Sequence, residues 1–188
     1  RVARAADLNA DNIDELILGC DDWNVYAYYV NGTQAWMWRS NAPVRLLETA
    51  DADLDTFDEV WCASTQRNVT YLEEDGNKTF SKLASATVNA LEIADLTNTG
   101  NPQLIYGDAN GNILSYLYLD TLVDSVTTPN GVTALYGDDL TTGGTLELAV
   151  GTAIGQVRIY NSSFDLQWNK SITNQVSSIA MANVAGST

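Results

Sequence analysis

Apolar and polar residues alternate with a period of two along this chain. Residues 132–170 show it most plainly, with "VTALYGD", "LELAVGT", "GQVRIYN" and "FDLQWNK" in succession. Each run has the length of a β-strand and is bounded by Gly, Asn, Asp or Thr. Nearer the N-terminus, "NVYAYYV" and "QAWMW" flank an Asn-Gly turn, which predicts a hairpin. No stretch combines helical periodicity with caps. The pattern predicts an all-β chain.

The chain also repeats itself. Displaced by 44 residues, it matches without a gap: Asp7, Asp51, Asp95 and Asp139 coincide, and Asn183 falls where a fifth would stand. Eight positions on come Glu15, Glu59, Gln103 and Glu147, then an apolar run, then Gly19, Ala63, Gly107 and Gly151. Val25, Val69, Ile113 and Val157 form another track, as do Tyr28, Leu72, Tyr116 and Tyr160. Four short strands in a unit of this length make the blade of a β-propeller. The predicted blades are 1–43, 44–87, 88–131 and 132–175, with a stub, 176–188, that begins a fifth. Strands A to D are expected to run from the inside outwards, which makes the A–B connection an acidic loop. Trp36, Phe80 and Trp168 recur once per blade, as packing between neighbouring sheets requires. Trp23, Trp38 and Trp61 do not recur, and Trp23, in a B–C loop, is a candidate for recognition.

A ring closes by filling each strand position once, and four blades are at the small end of the known range. The fifth strand A would have no place in a four-bladed ring. Arg1 in place of an initiator Met fits a piece of something longer. The native ring is therefore expected to hold about six to eight blades, the rest coming from missing sequence or another chain.

The segments "DLNADNIDELILG" and "DADLDTFDEVWCA" resemble the FG-GAP/VCBS propeller repeats of integrin α-subunit heads and microbial surface proteins. The downstream halves, "NVYAYYVNGTQAWMW" and "GQVRIYNSSFDLQW", resemble the PQQ-type propeller repeat. The resemblance implies a propeller fold throughout and, in the first two copies, metal. Hard cations such as Ca2+ take six to eight oxygens from carboxylates, amides, carbonyls and water. Positions 1, 3 and 5 of a tight loop can point side-chain oxygens at one centre, position 7 offers a carbonyl, and position 9 closes the site. In copy one these are Asp7, Asn9, Asp11, the Ile13 carbonyl and Glu15; in copy two, Asp51, Asp53, Asp55, the Phe57 carbonyl and Glu59. Asp14 and Asp58, at position 8, are expected to point away. The loop is no EF-hand, because the closing acid comes at nine and a strand follows. The competing reading is a pair of solvated acidic turns. Close carboxylates repel by roughly 1 kcal/mol per pair in water, and we favour two Ca2+ sites. Copies three and four, with Thr97, Thr99 and Gln103 or Thr141, Gly143 and Glu147, are expected to hold no metal.

Composition narrows the function. A formal charge of −15 argues against a nucleic-acid partner, and no apolar run is long enough for a membrane helix. Asn31, Asn68, Asn77, Asn161 and Asn169 stand in Asn-x-Ser/Thr sequons; with only three lysines, they fit an extracellular or cell-surface setting. Asn31, Asn77 and Asn161 fall at C–D turns, Asn68 in a B–C loop, and Asn169 at the end of a strand D. Cys20 and Cys62 occupy equivalent blade faces in the repeat register, so no disulfide between them is expected. With no histidine, catalytic triads that use one are excluded. The expected function is a non-catalytic adhesion, binding or scaffold module that meets a protein or glycan at the cell surface. The alternative is part of a propeller enzyme, a quinoprotein dehydrogenase or a polysaccharide-active protein.

Overall fold

The structure, a computed structural model, describes residues 1–117, 121–140 and 143–181. Among these every regular element is a strand. Blade one holds β1 (Val2–Ala6), β2 (Glu15–Gly19), β3 (Asn24–Tyr28) and β4 (Gln34–Arg39). Blade two holds β5 (Val44–Ala50), β6 (Glu59–Ser64), β7 (Asn68–Leu72) and β8 (Lys78–Leu83). Blade three holds β9 (Val88–Ala94), β10 (Gln103–Asp108), β11 (Asn112–Leu117) and β12 (Thr121–Thr127). Blade four holds β13 (Val132–Asp138), β14 (Glu147–Thr152), β15 (Gln156–Tyr160) and β16 (Leu166–Ser171).

Each blade is an antiparallel meander whose four strands pair in sequence order. The third and fourth strands shift register at the same repeat position in every blade, at Tyr28, Leu72, Tyr116 and Tyr160. A bulge there adds twist to the outer half of the blade. The first strands are innermost: β1 packs on β5, β5 on β9, and β9 on β13. No comparable packing joins β13 back to β1 among the described residues, so the four blades form an arc.

The recurrent glycine marks where one blade meets the next. A Cβ on Gly19 would lie 2.7 Å from Val44, on Gly107 2.2 Å from Val132, and on Gly151 2.6 Å from Val176. Each valine opens the following repeat. Side-chain hydrogen bonds reinforce the same joints: Thr49 Oγ1 donates to the Ala5 carbonyl (2.9 Å), Asn89 Nδ2 to that of Val132 (3.1 Å) and Thr133 Oγ1 to that of Val176 (2.6 Å). Val176 thus takes the place against Gly151 that Val44 and Val132 take against their glycines, though 176–181 form no strand; 182–188, including Asn183, lie outside the described residues.

Three apolar clusters fill the three gaps between blades. Ile17, Val25 and Ala27 meet Val44, Leu47 and Val60; Trp61, Val69 and Tyr71 meet Leu91, Leu104 and Tyr106; Ile105 and Ile113 meet Leu135, Leu148 and Tyr160. Trp36 and Phe80 pack between blades as their recurrence predicts. Trp168 lies half exposed, on a blade-four face with no described blade beyond it; Leu16, on the opposite face of blade one, is likewise exposed. The strand-D edge of every blade is largely open to solvent.

Candidate metal centre

The four A–B loops share one frame. The first aspartate accepts the backbone N–H of the sixth residue through Oδ2: Asn12 to Asp7 (2.8 Å), Thr56 to Asp51 (3.0 Å), Gly100 to Asp95 (2.6 Å), Gly144 to Asp139 (3.3 Å). Those four sixth residues all have positive φ. The closing glutamate accepts the N–H of the second residue: Leu8 to Glu15 (3.0 Å), Ala52 to Glu59 (2.7 Å), Leu140 to Glu147 (2.9 Å). In blade three Gln103 instead accepts from Ser115 (2.8 Å). The aspartate contact recurs in both ligand-poor blades and the glutamate contact in blade four, so these contacts form where few other ligands stand. The side chains peculiar to blades one and two are those at positions 3 and 5.

In blade two they converge. Carboxylate oxygens of Asp51, Asp53 and Glu59 all lie within 4.8 Å of one another. That is twice a Ca–O distance of about 2.4 Å, so one ion could touch all three. Asp55 uses its N–H on Asp51 (3.0 Å) and Asp53 (3.2 Å), and its carboxylate accepts the Phe57 N–H at 3.0 Å. Glu59 is fully buried and its Oε1 has no hydrogen-bond partner. Burial, with the charges of Asp53, Asp55 and Asp51 added, pushes Glu59 up to about 8, against the pull of the Ala52 N–H. Burial likewise raises Asp53, and its acidic neighbours add to the effect. An orphaned buried carboxylate oxygen in an oxygen-only donor set fits a hard divalent cation.

Blade one repeats the backbone contacts of blade two and adds one side-chain bond. Asn9 Nδ2 donates to Glu15 Oε1 (3.3 Å), Asp11 N–H to Asp7 (3.2 Å) and Asn9 (3.0 Å), and Ile13 N–H to Asp11 (2.8 Å). Position 3, an acid in the blade-two trio, is Asn9 in blade one, so blade one has one carboxylate fewer at the corresponding place. Asp58 does turn away from its own loop: it accepts the Asp7 N–H at 2.9 Å and returns its own N–H to the Asp7 carbonyl at 2.9 Å, tying blade two to blade one. In blade three Thr97 and Thr99 bond to each other at 3.1 Å; Thr141 of blade four lies outside the described residues.

Two acids beside the site escape a reading of the loops alone. Glu73 and Glu74 begin the C–D hairpin of blade two, and with Glu59 they form a second triad within 4.8 Å. The signal was present in the repeat, since the tracks they occupy carry Tyr29, Leu117 and Asn161, and Val30, Tyr118 and Ser162, elsewhere.

The other candidates are placed as follows. Trp23 is exposed, has φ 77° and lies under the Arg39 guanidinium at 5.6 Å; Trp61 is core. Asn31, Asn77 and Asn161 sit at the C–D turns, but Asn68 is the first residue of β7 rather than a loop residue, and Asn169 lies within β16 rather than at its end. Strand C starts sooner than the residue types require because Asn68 already pairs with Leu83. Cys20 and Cys62 are both free thiols, and burial pushes Cys62 up to about 12. The inner strands line a cavity of about 450 Å³ that includes Arg4, Glu48, Glu92 and Tyr136, one residue per repeat. Arg4 is held by both oxygens of Glu48, and burial lifts Glu92 to about 7.

The chain matches no protein-family model, and no curated protein matches it. Solved structures do. A crystal structure of BBS1N in complex with ARL6DN, soaked with mercury, superposes with a TM-score of 0.74 at 15% identity, over 94% of this chain and 55% of that one. The structure of Sqt1 from Saccharomyces cerevisiae gives 0.81 at 16% identity, over 98% and 53%. The chain thus spans about half the length of the solved structures it matches. At such identities the likeness concerns the fold alone, and that fold is the β-propeller.

Proposed function

We propose that this chain is part of an extracellular, non-catalytic β-propeller that serves as a binding or adhesion scaffold and is stabilised by calcium. The observation that carries the metal is buried Glu59, which has one unpartnered oxygen and whose carboxylate lies within 4.8 Å of those of Asp51 and Asp53. Blade two is the principal site; blade one offers Asp7, Asn9, Asp11, the Ile13 carbonyl and Glu15 in the same order. The sequons at exposed hairpin turns and the acidic surface support the extracellular setting. A protein or glycan partner at the cell surface is supported by the exposed Trp23 loop, and a protein partner by one precedent: the neighbour BBS1N is described in complex with ARL6DN.

Ligands that bind only the folded state stabilise it by mass action. With the roughly 0.1–1 mM affinity of extracellular modules, 10 mM Ca2+ should add about 1.4–2.7 kcal/mol per site. Thermal unfolding in Ca2+ and in chelator measures this, and Asp53→Ala should abolish the share of the blade-two A–B loop. A melting temperature equal in both conditions refutes the calcium reading.

A further inference from the structure

We propose that Glu59, Glu73 and Glu74 hold a divalent cation of their own in blade two, beside the A–B loop and assembled by the C–D hairpin. The proposal extends the metal reading of the loop, with Glu59 common to both triads.

The register creates this second triad. Val60 pairs with Leu72, which brings Glu59 and Glu73 side by side where β6 and β7 end. Like charges directly opposite on neighbouring strands destabilise a sheet, and the other described blades avoid them: Glu15 faces the Tyr29 track and Glu147 the Asn161 track. Blade two alone keeps three acids at this place, with oxygens within 4.8 Å of one another.

Two buried oxygens on these paired strands lack hydrogen-bond partners. One is Glu59 Oε1; the other is the hydroxyl of Tyr71, a side chain only 1% exposed. Burial raises the Tyr71 hydroxyl, and the charges of Glu59, Glu73 and Asp53 and its side-chain approach to Glu59 raise it further. A buried oxygen without a partner is costly, more so when it is charged; a cation would engage the lone pairs of both at once.

The hairpin is held in place for this role. Trp36 of blade one donates its indole N–H to the Glu74 carbonyl at 2.7 Å and packs where a Cβ on Gly76 would be. Thr79 donates its hydroxyl to Glu73 Oε1, leaving Oε2 to the site. The spacing suits Ca2+ better than Mg2+, whose bonds of about 2.0–2.1 Å demand a tighter cage. Six carboxylates meet here, counting Asp51, Asp53 and Asp55, and two divalent ions would neutralise four of the six charges.

Isothermal titration of the 188-residue chain with Ca2+, paralleled by Tb3+ luminescence excited through Tyr71 and Trp61, tests the assignment. The double variant E73Q/E74Q should bind one equivalent fewer than wild type and lose most of the sensitised emission, while retaining the loop ion. The variant D53N/D55N should lose the loop ion and retain the hairpin one. Circular dichroism and melting in chelator establish that both variants fold. An E73Q/E74Q isotherm that superposes on the wild-type one overturns the proposal. So does loss of every blade-two equivalent in that variant, which would mean a single shared ion. An unchanged D53N/D55N isotherm would count against the loop reading instead and leave the hairpin result intact.

Discussion

With one oxygen held by the Ala52 N–H and the other unpartnered inside the protein, Glu59 is costly to ionise. Its value of about 8 stands well above the 4.5 of an ordinary glutamate. Between those pH values the native state therefore holds a proton that the unfolded chain has released. Stability must fall as pH rises across that window, and its full contribution is present only below about 4.5. In chelator, urea unfolding should show a loss of roughly 2–4 kcal/mol from pH 5 to pH 8, and Glu59→Gln should flatten the profile. Ca2+ requires the deprotonated ligand, so the stabilisation that it brings should grow over the same range. The sequence made Glu59 conspicuous as an acid on a recurrent track. Its two duties were not separable there, because only the structure shows Glu147 making the same backbone contact in a blade whose loop lacks the other acids.

At the scale of strands and loops, the repeat explains itself through contacts that are distant in sequence. The Gly19, Ala63, Gly107 and Gly151 track was plain in the chain; the valine that sits on it, 25 residues later, was not. Gly107→Ala would set a methyl 2.2 Å from Val132 and wedge blades three and four apart. Overpacking of this kind costs about 1–3 kcal/mol. Chemical denaturation should register that loss, while Ala63→Gly in blade two, which only removes a methyl, should not reproduce the wedge. Strand count and the hairpin turns were legible because period-two alternation and Asn-Gly turns are local. The Glu73–Glu74 contribution was not, since a cross-strand neighbour exists only once register is fixed.

Across the whole molecule, the arc leaves apolar side chains of its two end blades partly exposed among the described residues. Trp168, Leu140 and Ile154 are each 42–54% exposed at one end, and Leu16 is 47% exposed at the other. In blades one and two the same aromatic track lies against a neighbour. The 188-residue chain on its own should therefore self-associate, and Trp168→Asp should shift sedimentation velocity toward monomer; a wild type monomeric at all concentrations would show the faces to be inert. The charge of −15 opposes such contact, so added salt should promote it. The arc also bears on the ancestry of the sites. Because an aspartate clamps a left-handed sixth residue in every loop, acidic or not, the socket is inherited with each duplicated blade. On the calcium reading, a lineage would acquire or discard an ion by changing side chains at positions 3, 5 and 9, with no new backbone to evolve.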